Sequence, residues 1–140
     1  MKTQARFYIW ATIVSAIAMF LIAGLAHEVI FEKFFADNTD AKHEGTGIIF
    51  LAYLILAIMM VYLFQNTRNG IQAGIPAFVF GAIIGLLWVF PHGLAMAGAH
   101  GESIGYEFIN GSWHVVEQGL GGWVIGLVHR RFHRDNQKNS

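Results

Sequence analysis

The sequence predicts an all-α fold: an integral membrane four-helix bundle made by one domain over residues 1–140, with both termini in the cytoplasm. Three observations carry this. Hydrophobic residues make up 55% of the chain and charged residues 13%, with mean hydropathy +0.48, whereas soluble domains carry roughly 25% charge. Four apolar stretches, 7–26, 48–64, 71–90 and 113–128, approach the length that crosses a hydrocarbon core of about 30 Å. The cations fall on one side of those four spans. Lys2, Arg6, Arg68, Arg130, Arg131, Arg134 and Lys138 share a side, against Lys33 and Lys42 on the other. The positive-inside rule then makes both termini cytoplasmic.

Helices are expected over roughly 7–35, 47–65, 71–92 and 111–131. The first begins with Lys2 and Arg6 and passes Gly24-Leu25-Ala26, which gives it the outline of a signal peptide. Its apolar run exceeds the 7–15 residues of such a segment, so it is expected to stay as a span. The second helix has almost no polar side chain beyond Tyr53 and Tyr62. It reads as a lipid-facing wall that contributes nothing to chemistry. Pro76 lies near the start of the third, where a missing N–H costs little. Pro91 is expected to end that helix beside His92. A glycine-rich outer loop, 93–111, would then carry His100, Glu102 and Glu107, and a short acidic loop, 37–46, would join helices 1 and 2. The fourth helix opens on Trp113 and His114 and leaves the membrane through a basic tail holding His129 and His133. That tail would rest on anionic headgroups, each cation adding about 1 kcal/mol.

Tyr8 and Trp10 mark one interface, and Trp88 and Trp113 the other, as aromatic belts do. Gly81-x-x-x-Gly85 and Gly122-x-x-x-Gly126 allow close backbone approach. They are expected to join helices 3 and 4, or to dock a second copy or a larger membrane complex. The lipid bilayer is the other expected partner. Zero net charge argues against nucleic acid, and the absence of cysteine excludes thiolate metal sites and disulfides.

The chemistry-bearing residues collect at one end. From residue 7 to His27 and from residue 72 to His92 the helical rise is about 30 Å, so both histidines should reach the outer boundary. His114 and Glu117 should lie one to two turns deeper and share a helical face. Ionisable groups at membrane depth need a partner, an ion or a water-filled cavity. Imidazole and carboxylate suit Zn, Cu or Fe. The expected site is therefore an outer-facing transition-metal centre of His27, His92, His114 and Glu117, with Glu28 and Glu32 as supporting or alternative ligands. Haem b or a pigment held by two histidines is an alternative cofactor, and proton or ion handling at Glu117 another use of the same groups. A hydrolase is disfavoured, because no serine, threonine or cysteine is evidently poised beside a base.

With His27 closing helix 1, and Trp113, Glu117, Gly122, Gly126 and Arg130 spaced along helix 4, the chain resembles small four-helix bacterial inner-membrane proteins of uncharacterised function. The resemblance spans most of the chain. It implies the four-span fold and no particular activity. Glu28, His92, His114 and the glycine-rich outer segment depart from that pattern. An accessory or structural subunit of a larger membrane complex is the rival reading.

Overall fold

The computed structural model describes residues 2–33, 45–67, 74–101 and 103–138, with backbone alone for Lys2, Thr3 and 133–138. The described residues form four long helices: α1 (Lys2–Leu25), α2 (Thr46–Thr67), α3 (Ile75–His100) and α4 (Ile104–Lys138). A π-helical turn, Ala26–Ile30, extends α1. The expected acidic loop after helix 1, the end of that helix at Phe35, and Arg68 in the α2–α3 connection fall largely outside the described residues.

Three of the described helical segments are long and apolar enough to cross a membrane: Gln4–Ile30, Thr46–Thr67 and Ile75–His100. The fourth is long but more polar. Its inward side holds Glu107, Glu117, Gln118 and several glycines. Four of its exposed apolar residues, Ile109, Val116, Trp123 and Leu127, recur at helical spacing, while Ile104 and Phe108 near its start are exposed on another face. A helix enclosed by its neighbours meets little lipid, so its composition need not be apolar all round.

The helices neighbour one another in the order α2, α1, α4, α3. On α1 the buried residues Phe7, Ala11, Ser15, Met19, Ala23 and Ala26 form a single stripe at three- and four-residue intervals. Ser15 would be a cost in that stripe, but its hydroxyl donates to the Ala11 carbonyl at 2.6 Å. On α3 the buried face is Ala77, Gly81, Gly85, Gly93 and Ala97, all small. This lets α4 pack backbone to backbone. A Cβ at Gly122 would stand 2.9 Å from the Gly81 Cα, and one at Gly85 would stand 2.8 Å from the His114 carbonyl oxygen. Gly121 receives Met19 of α1, and Gly119 receives the Phe78 ring.

The glycine faces offered by the sequence to an outside partner are thus filled from within. Gly81, Gly85 and Gly122 lie in the α3–α4 seam, and Gly126 is buried. This is the joining of helices 3 and 4 that the glycine spacing predicts.

The 93–111 loop is corrected. Pro91 lies inside α3, which continues to His100. Proline removes one backbone hydrogen bond, leaving the Leu87 carbonyl without its i+4 donor. In an apolar setting the backbone has no better alternative than helix, and proline is tolerated where neighbours hold the chain. Here Gly93 packs against the Glu107 side chain beyond the proline. The helix stops instead at Gly101, whose φ of 71° is left-handed and whose N–H donates to the Ala97 carbonyl at 2.9 Å. Ser103 then caps α4: its hydroxyl accepts from the Tyr106 N–H at 3.3 Å.

Aromatic contacts fix the relative directions. Phe7 meets His129 and Phe132, while Phe31 meets Trp113, so α1 and α4 run antiparallel. Gly81 faces Gln118 and Gly93 faces Glu107, so α3 and α4 do too. At the end carrying both termini, Phe7, Phe64, Phe80, His129 and Phe132 form a plug. His129 therefore belongs to the core of that end, half-buried between Phe7 and Phe64, and not to a tail resting on headgroups. The side chain of His133 lies outside the described residues.

Candidate functional site

One turn of α4 sets His114 and Glu117 on the same face, as i,i+3 spacing requires. Glu117 is completely buried. Its Oε2 atom accepts a hydrogen bond from the Tyr53 hydroxyl of α2 at 3.0 Å. The His114 Nδ1 atom lies 3.2 Å from the same oxygen, within ion-pair range but without hydrogen-bond alignment. The other carboxylate oxygen, Oε1, is buried and has no hydrogen-bond partner among the described residues. One carboxylate thus gathers a tyrosine from α2 and a histidine from its own helix, with one oxygen to spare.

The π-helical turn at the end of α1 supplies the third expected residue. Such turns insert one extra residue per turn, redirect side chains and often occur at functional sites. His27 lies in this turn, half-buried, and close enough to His114 for an electrostatic interaction. The adjacent Phe31–Trp113 ring contact, with centroids 5.8 Å apart, holds this end of α1 on α4.

The remaining expected ligands stand apart. His92 is exposed on α3 and stacks on Trp88, ring planes 11° apart and centroids 6.4 Å apart. Glu28 and Glu32 are exposed, with Glu28 beside His27. Among the described residues no three His, Asp or Glu side chains come together as a metal-binding group. The sequence placed His92 level with His27 by counting along the helices. Depth along an axis does not fix direction around it, and the Trp88 stack occupies one face of the His92 ring.

Two contributions were missed. Tyr53 was assigned to an inert wall, yet it is α2's hydrogen bond to the site. Glu107 and Asn110 were assigned to a loop, yet they are helical. The residues Glu107, Asn110, His114 and Glu117 recur at intervals of three and four, one polar stripe on α4. That period was present in the sequence and was hidden by starting the helix at residue 111.

The stripe matters because it floors a groove. Away from the aromatic plug, α2 and α3 stand apart, leaving a cavity of about 1120 Å³ over α4. Its walls are apolar, including Leu56 and Met59 of α2 and Ile84 and Val89 of α3. Its floor carries Glu107, Asn110, His114 and Gln118, and Tyr53 and His92 also line it. This volume lies just above the range of small-molecule sites, about 300–1,000 Å³, and apolar walls with a few convergent polar groups are the lining such sites have. Comparison of the chain with protein-family models, curated proteins and solved structures finds no match.

Proposed function

We propose that this is a four-span membrane protein, both termini cytoplasmic, that takes an elongated apolar ligand from the lipid phase into the groove between α2 and α3. The observation that carries the reading is the groove itself: apolar walls from two lipid-compatible helices over a floor holding Glu107, Asn110, His114 and Gln118. Polar floor groups would hold the ligand's head while its body lies along the walls. On this reading α4 is the fourth span, its polar stripe turned inward and its apolar stripe toward lipid. The cation bias gives the orientation, and a bacterial inner membrane is its setting.

A second reading is favoured by the 3.2 Å approach of His114 to Glu117. A single Zn, Cu or Fe ion would be held by these two with His27, and His92 would have to turn off Trp88 to join them. Imidazole and carboxylate donors fit such an ion. An accessory role in a larger complex remains a third use of the same fold, resting on composition alone.

One preparation separates the first two readings. The protein is purified in detergent and analysed for co-purifying hydrophobic molecules, metal content and visible spectrum. A stoichiometric apolar ligand, lost in Ala52→Trp, supports the groove. Ala52 is exposed and lines the cavity, so an indole there fills space without disturbing the packed seams. One metal per chain, lost in His114→Ala and Glu117→Gln, with no ligand, moves the assignment to the metal centre. A Soret band moves it to haem.

A further inference from the structure

The groove has one closed end and one open end, and this decides how an occupant lies in it; the inference rests on the groove reading above. Toward the termini it is lined by Leu56, Met59, Met60, Leu63 and Ile84. One turn further on, Phe64 follows Met60 on α2 and Phe80 precedes Ile84 on α3. Their rings meet across the gap edge to face, with centroids 5.6 Å apart. Phe64 is completely buried, and His129 and Phe7 close in behind it. The side chains at the other end are polar and reachable: Ser103 and His92 are exposed and Tyr106 is half-buried. Two deeper polar groups are turned away from the groove. His114 directs Nδ1 toward Glu117, and Gln118 sets its amide oxygen against Gly85 in the α3–α4 seam.

The length of this slot matches one leaflet. From Phe80 to His92 on α3 is twelve residues, and from Phe64 back to Ile48 on α2 is sixteen. At about 1.5 Å per residue these are about 18 and 24 Å. Half a bilayer with its headgroups is about 20–22 Å thick. The polar end lies away from both termini, on the outer side in the topology proposed above. A polar head buried among apolar walls without a partner is costly, so the head stays at the open end and the tail points to the closed one. We infer that the groove is a slot for one lipid of the outer leaflet, its head at Ser103 and Tyr106 and its tail ending against the Phe64–Phe80 plug. It receives an amphiphile from that leaflet and gives it no passage to the other.

The test uses the full chain in lipid nanodiscs and hexadecanol carrying a photoactivatable diazirine, either beside the hydroxyl or at the chain end. Cross-linked residues are mapped by mass spectrometry, and labels lost in Ala52→Trp are assigned to the groove. Among those, the head-end reagent is expected on Met96, Ser103 and Tyr106 and the tail-end reagent on Met59 and Ile84, each with at least a fivefold preference. Reversed or mixed labelling of these residues overturns the one-leaflet slot and leaves the groove intact. Absence of any label sensitive to Ala52→Trp overturns both. Docosanol, a longer chain with the diazirine at its end, tests the plug. It is expected to leave Phe64 unlabelled in the native protein and to reach it in Phe80→Ala, or in the milder Phe80→Leu should the alanine fold poorly. Label on Phe64 in the native protein, or none in a folded variant, overturns the plug as the stop.

Discussion

Replacing Tyr53 by phenylalanine removes one oxygen atom and, with it, the hydrogen bond that joins α2 to the buried carboxylate: the 3.0 Å bond to Glu117 Oε2. Hydrogen bonds to charged groups contribute about 1.5–3 kcal/mol, whereas interhelical polar bonds in membranes average about 0.6 and reach about 1.7. This bond is longer than the O–H···O optimum of about 2.7–2.8 Å. That geometry favours the lower part of the first range, which coincides with the top of the second. The expected loss for Tyr53→Phe is therefore about 1.5 kcal/mol. A double-mutant cycle with Glu117→Met, which keeps the side chain's length and offers no oxygen to accept from the tyrosine, isolates the pair, since each single change then removes the same bond. Unfolding would be followed by circular dichroism in mixed micelles of rising denaturing-detergent fraction. The coupling energy should be about 1 kcal/mol. Tyr62→Phe serves as control, because Tyr62 is 59% exposed and should change nothing. A coupling within about 0.3 kcal/mol of zero, the ordinary error of additivity, would refute a Tyr53–Glu117 bond and detach α2 from the site.

Other substitutions test the frame that holds the site. Gly81→Ala places a methyl group into the Gln118 carbonyl, a backbone atom that cannot swing aside; overpacking should cost about 1–3 kcal/mol, read as a lower unfolding midpoint in the same assay. Gly98→Ala, where a Cβ meets nothing within 4 Å, should instead gain up to about 1 kcal/mol from helix propensity, so the two alanines must move the midpoint in opposite directions. Phe64→Ala removes a fully buried ring that contacts Phe80 and His129 and should cost about 3–5 kcal/mol. Pro91→Ala restores the donor for the Leu87 carbonyl in a helix that already continues past it. It should slow amide hydrogen exchange around 91–95, and unchanged or faster exchange would show that the missing bond to the Leu87 carbonyl does not weaken the helix there.

How much of this was legible in the sequence depends on which physical signal is asked. Hydropathy marks where a helix must face lipid, so α1, α2 and α3 were evident. It also marks glycines that let backbones touch, and Gly81, Gly85 and Gly122 do meet in one seam. Pro91 misled because proline's steric rule is a bias that a helix held by its neighbours can override, as Gly93 is held against Glu107 here. The true stop is a positive-φ glycine ten residues on, and Gly101 was one of several in that stretch. Of the candidate site, His114 with Glu117 followed from helical spacing alone, and the structure pairs them. Tyr53 did not follow, because a hydroxyl on an apolar helix gives no sign of which neighbour it faces. His92 illustrates the converse: equal depth with His27 says nothing about azimuth, and Trp88 on its own helix claims the ring.

The two halves of the site depend on each other through α2. Were α2 only a wall, it could close against α3 along its length and leave no cavity, since both present apolar faces there. It closes at Phe64 and Phe80, where rings interlock, and stands off where Tyr53 reaches Glu117 on α4. The bond ties α2, which otherwise packs on α1, to the helix whose next residue, Gln118, lines the groove. A change at Glu117 should therefore alter ligand capacity without touching any lining side chain. Glu117→Leu, which abolishes the Tyr53 bond and adds apolar bulk, should allow α2 to settle toward α3 and lower binding of a bound amphiphile, while the aromatic plug and overall helicity persist. Unchanged binding in a folded Glu117→Leu protein would mean that the groove is held open by its walls alone.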